Sequence, residues 1–279
     1  MNRLIYLIAG LFVLLPSIAI HAEEDDLEYG SMMNWTSHFA YGNVRQVVNA
    51  EHLIYALADG AMFSIDPSDE SMEYYSKMTG LSGSTINLID YDYNTKQLVV
   101  LYDDGLVDLI RSNGRITPIQ DLSIKQMNAS KKARCIYIHE GMAYLGMDFG
   151  IVVLNLKKQE VLDTYYIGDQ GSEVAINSIA LLGDTIFATD GYTLYKADIH
   201  NNLLDYSYWQ HSVPPSGMHI ADYNGQLFAL AEGILYIYER GEWKIANEKT
   251  ELTALKKKDG ILYALSTHGF YKIEDNRQM

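Results

Sequence analysis

Six times along the chain a short apolar run stops at a turn that sets an acid or a histidine close to a glycine. The side chains are Asp59, Asp104, Asp148, Asp190 and Glu232, with His268 in the sixth copy. If symmetry gathered them, five carboxylates and an imidazole could offer ligands to a cation. Hairpin chemistry explains the same residues without a ligand, because tight turns need positive φ, which Gly, Asp and Asn tolerate. These turns follow the second strand of each repeat, well away from any common axis, so the acids are expected to lie too far apart to share an ion. No metal site and no cofactor are expected.

Other chemistry-bearing patterns are also better explained by structure. Asp90, Asp92 and Asn94 imitate the opening of an EF-hand loop, but Thr95 replaces the required glycine and Leu101 the closing glutamate. Ser82 follows Gly80-Leu81 and precedes Gly83, which is not the spacing of a nucleophile elbow. The eight histidines are scattered, no H-E-x-x-H occurs, and Cys135 lacks a neighbour that would activate a thiol. No catalytic residue is assigned and the chain is read as a non-enzyme. A hydrolase or lyase using paired carboxylates stays open as an alternative. Basic residues cluster at Lys131-Lys132 with Arg134, at Lys157-Lys158 and at Lys256-Lys257-Lys258. The last two groups are expected in turns on one face, solvated or facing phosphate. Most of the 22 tyrosines fall in strand-like runs and are expected to pack between sheets. Trp209, beside His211 and Pro214-Pro215, is expected to be exposed in a loop contact.

The elements that carry these residues recur. The runs 53–60, 98–105, 142–150, 185–191, 226–233 and 261–269 each end in glycine, at steps of 45, 45, 41, 42 and 36 residues. Such a period matches a propeller blade of four strands. In the second repeat 85–93, 97–102, 106–111 and 115–122 are β-rich, separated by Asp-Gly and Asn-Gly turn signals. The last repeat supplies only three runs, near 252–256, 261–265 and 270–273. Residues near 32–39 are expected to return as its outer strand and close the ring. The fold expected is therefore an all-β propeller of six four-stranded blades closed by an N-terminal strand. Seven blades, with part of the chain missing, is the alternative.

Residues 1–22 read as a secretory signal peptide, with Arg3 ahead of an apolar run (Leu4 to Leu15), then Pro16 and a small residue, Ala22, at the cleavage point. Residues 23–279 form the propeller domain. The full chain carries 36 acids and 21 bases; losing Arg3 brings the balance to about −16. That charge disfavours nucleic acid as a partner. The lone cysteine forbids an internal disulfide, and no second apolar stretch is long enough to span a membrane.

The segment 80–89, beginning Gly80-Leu81-Ser82 and holding Ile86 and Ile89, resembles the repeats of two-component-regulator propellers. The tryptophan usual in the following strand is replaced by Val99, Tyr144, Phe187 or Tyr263. In that departure, and in 35–41, 143–153 and 163–168, the chain is similar to the N-terminal propeller of the PorZ family, part of the type IX secretion attachment complex of Bacteroidetes. The resemblance implies a surface or periplasmic assembly module of a Gram-negative bacterium, with a sortase, other attachment-complex proteins and lipopolysaccharide as partners. Family members add a second propeller and a C-terminal sorting domain, neither of which lies within these 279 residues. A glycan-sensing propeller of a hybrid two-component system is the second reading. The ligand-binding residues are unknown at this level.

Overall fold

Strand pairing follows the glycine period. A computed structural model describes residues 43–59, 61–247, 251–258 and 260–273. They form six antiparallel sheets, each built from strands consecutive in sequence, over 44–75, 86–119, 133–165, 178–212, 219–247 and 252–272. The protein is a six-bladed β-propeller; among the described residues five blades have four strands and the last has three, Leu252–Lys258, Ile261–Ser266 and Gly269–Lys272. The closing strand expected at 32–39 and the leader at 1–22 lie outside the described residues. In blade 2 the strands are Ile86–Asp92, Gln97–Tyr102, Val107–Arg111 and Ile116–Ile119, within a few residues of the expected runs. The fourth is shorter than expected because the chain coils into one helical turn at Asp121–Ile124.

Continuous apolarity in the second strands has a direct cause. Every residue of Gln97–Tyr102 is buried, and the pleat sends alternate side chains to opposite faces. Leu98, Val100 and Tyr102 enter the layer shared with blade 1, beside Leu57 and Met62. Val99 and Leu101 enter the layer shared with blade 3, beside Leu145, Met147 and Phe149. A strand covered on both faces cannot alternate polar and apolar residues. Each fully buried leucine contributes about 2 kcal/mol through removal from water.

The first strands of consecutive blades run side by side around the axis, and each has one edge without a strand partner. Side chains from the neighbouring blade satisfy that edge. Gln46 grips the Ile89 backbone twice, donating to its carbonyl at 2.5 Å and accepting from its N–H at 3.1 Å. Asn87 donates to the Ala133 carbonyl at 2.6 Å, and Cys135 donates to the Ile176 carbonyl at 3.8 Å. Ser178 accepts from the Ile220 N–H at 3.0 Å, and Lys257 pairs with Asp222 at 2.7 Å.

The segment that carries the propeller-repeat resemblance has a physical role at the seam between blades 1 and 2. Ser76 and Thr79 cap the short turn Lys77–Thr79, which ends at Gly80 with φ 108°. Leu81 is buried, and the Ser82 N–H donates to Asp108 at 2.8 Å. Tyr102 donates its hydroxyl to the same carboxylate oxygen at 2.7 Å. Gly83 lies flat on the Tyr102 ring: a Cβ there would stand 2.3 Å from a ring carbon.

Candidate functional site

The turn acids are used locally. Asp104 accepts from the Leu106 N–H at 3.1 Å, and Asp190 accepts from the Tyr192 and Thr193 N–H groups at 2.7 and 2.6 Å. Asp59 and Glu232 themselves take positive φ, 47° and 51°. Asp148 pairs with Arg134; although burial opposes it, Ser130 and Arg134 hold its carboxyl below the usual range. The His268 imidazole sits 3.3 Å from Glu251, at an exposed turn. Among the described residues no cluster of histidine, cysteine and acids is arranged to hold an ion. In the EF-hand look-alike, Asp92 accepts from the N–H groups of Asn94 and Thr95, which is turn capping. Cys135 is partly buried between blades 3 and 4, and burial pushes its thiol up to about 12, so the thiolate nucleophile is disfavoured.

Two expectations are corrected. Trp209 is 5% exposed, not a loop contact. Its ring meets Tyr165 of blade 3 at 6.2 Å, and its indole N–H donates to the Leu203 carbonyl at 3.1 Å. Lys256, Lys257 and Lys258 lie in the first strand of blade 6, which runs through Lys258 before turning. Lys256 is within electrostatic reach of Asp90 in blade 2 and His219 in blade 5, so three blades bring charge together at the axis. Burial raises Asp90 to about 6, with Lys256 opposing; burial and then Lys256 lower His219. The other basic clusters also have partners: Lys131 donates to the Ser123 carbonyl, Lys132 faces Asp103 at 3.4 Å, and Lys158 faces Glu160 at 3.5 Å.

A cavity of about 340 Å³ opens between blades 3 and 4. Blade 3 supplies Tyr144, Val153, Asp163 and Tyr165; the loop after the third strand of blade 4 supplies Asn201, Asn202, Leu203 and Leu204. Burial, then Asp163 and Tyr144, push the Tyr165 hydroxyl above its ordinary range. The loop is anchored at both ends, by the Ile199 N–H on the Asp184 carbonyl at 2.9 Å and by Trp209 on Leu203. No motif announced this site, because its two walls come from different repeats. Tyr144 and Tyr165 were legible only as strand tyrosines.

The strands define a six-bladed propeller with a lateral cavity between blades 3 and 4. Residues 54–210, over half of the chain, match the family described as the type IX secretion system PorZ N-terminal β-propeller domain, and the chain belongs to that family. No curated protein matches the sequence significantly. Among solved structures, PorZ of Porphyromonas gingivalis, an essential bacterial surface component of its type IX secretion system, superposes with a TM-score of 0.78 at 21% identity, over 88% of this chain. The chain spans about a third of the length of that protein, 33%. Two extracellular domains from B. thetaiotaomicron are also similar. BT3049, assigned to a hybrid two-component system, has a TM-score of 0.60 at 12% identity and covers 85% of this chain and 34% of its own. BT4673, assigned to a one-component system, has a TM-score of 0.61 at 15% identity and covers 86% and 36%. Among the described residues no helix is long and apolar enough to cross a membrane.

Proposed function

We propose that this chain is an exported, non-catalytic assembly module of type IX secretion that helps a sortase-containing complex attach lipopolysaccharide to secreted cargo. The family match over 54–210 carries the reading. The lateral cavity supports a recognition role. Asp104 and Asp190 cap turns, Asp148 pairs with Arg134, the half-buried Cys135 thiol is held protonated, and the open cavity lies between blades 3 and 4. The signal sequence at 1–22 would export a mature domain of 23–279, to the periplasm or the outer surface.

Deleting the gene tests the role. Secreted cargo is expected to accumulate without lipopolysaccharide and to be released from the cell surface, and a copy of the gene restores attachment. Normal cargo attachment in the deletion strain overturns the reading. A sensing role in signal transduction, favoured by the likeness to the two B. thetaiotaomicron extracellular domains, instead predicts normal attachment with altered transcription.

A further inference from the structure

We propose that the cavity between blades 3 and 4 binds one ring of a neutral pyranose sugar. The inference stands on the cavity alone and does not depend on a role in secretion. Its volume, about 340 Å³, sits at the small end of ligand pockets, ~300 to 1,000 Å³. The lining is of two kinds. Met142, Val153, Ile199 and Leu203 provide an apolar surface, against which the C–H face of a sugar ring can lie. Around it stand the Asp163 carboxylate, the Tyr144 and Tyr165 hydroxyls and the amides of Asn201 and Asn202. A carboxylate only accepts, an amide both donates and accepts, and a phenol does either, which together match adjacent sugar hydroxyls.

Charge narrows the class. Asp163 is the only charged side chain on the lining, and no lysine, arginine or histidine is there to receive a phosphate or an acidic sugar. The Tyr165 hydroxyl is engaged by Asp163, whereas the two amides are available. Asn201 makes no side-chain hydrogen bond among the described residues, and Asn202 uses only its carbonyl oxygen, on the Leu204 N–H at 3.4 Å. The wall that bears them is held from behind by the Trp209 bond to Leu203, so little ordering is left for the ligand to bring about. Leu204 and Leu162, 58% and 44% exposed, form an apolar lip.

The experiment is saturation-transfer NMR and titration calorimetry on the whole chain with methyl glycosides of glucose, galactose, mannose and rhamnose. At least one is expected to bind with Kd of about 1 mM or tighter. Asn201→Ala, at an exposed residue without a protein partner, should weaken it about fivefold while leaving the melting temperature unchanged. Asp163→Asn gives a second reading at the other wall and should also weaken binding. Absence of saturable binding to every glycoside up to about 10 mM overturns the proposal. So does binding that neither substitution weakens, since the sugar is then held elsewhere. A preference for glucose 6-phosphate over methyl glucoside overturns the neutral class.

Discussion

Asp90 shows how enclosure can outweigh a nearby opposite charge. Its carboxyl sits among the first strands, with Lys256 favouring its charged form and Asp92 opposing it, yet burial dominates and lifts it to about 6. A carboxyl raised in the folded state binds its proton more tightly there than in the unfolded chain, whose value is about 3.9. Its favourable contribution is therefore complete below about pH 4 and is lost as pH rises through about 6. Asp90→Asn removes the penalty at neutral pH, up to about 2 to 3 kcal/mol, and changes little at pH 4, where the native carboxyl is already neutral. Urea unfolding at pH 4 and pH 8 measures the difference. Equal effects at both pH values would show that Asp90 stays ionised in the fold. His219 and Lys257, with its partner Asp222, lie on neighbouring first strands, and their substitution should leave this pH dependence in place.

Blade seams combine apolar layers with a few directed bonds at the inner edge. Gln46 makes the most complete of these, because its amide matches both the N–H and the C=O of Ile89. Gln46→Ala should cost about 1 to 3 kcal/mol and expose the Ile89 amide to faster hydrogen exchange. Unchanged protection at Ile89 would show that the apolar layer alone holds the seam. The blades themselves were legible from the chain, since a glycine after each second strand leaves a countable period, and Gly105, Gly150, Gly191, Gly233 and Gly269 take the positive φ that favours glycine. The side chains between blades were much less so. Trp209 neighbours Pro214-Pro215 in sequence, which suggests a loop, but Tyr165 of blade 3 covers it. Asp163 and Asn201 meet only because two repeats stand next to each other in the ring. Likewise Lys256 reads as part of a turn cluster until the strand is seen to run on through Lys258.

At the scale of the whole chain, 36 acids face 21 bases, a formal charge of −15. The recognised basic clusters are largely paired, so little local positive surface offsets this excess. Self-repulsion of that kind works against a folded ring and fades as salt shortens the Debye length from ~30 Å at 0.01 M to ~3 Å at 1 M. Raising sodium chloride across that range should therefore raise the melting temperature by about 2 to 4 °C for each kcal/mol relieved. A fall in melting temperature would mean that attractive pairs such as Lys257–Asp222 outweigh the repulsion.

The inner-edge contacts vary from seam to seam: a two-bond glutamine clamp, an asparagine donor, a thiol, a hydroxyl acceptor and an ion pair follow one another around the axis. Blades 2 to 5 are thus each keyed to one predecessor and one successor. A gene rearrangement that copied blade 2 into the place of blade 4 would set Leu88, which has no acceptor on its side chain, where Ser178 receives the Ile220 amide. The six blades share an architecture without being interchangeable parts, so their order around the ring is written into the lineage and is not free to drift by recombination.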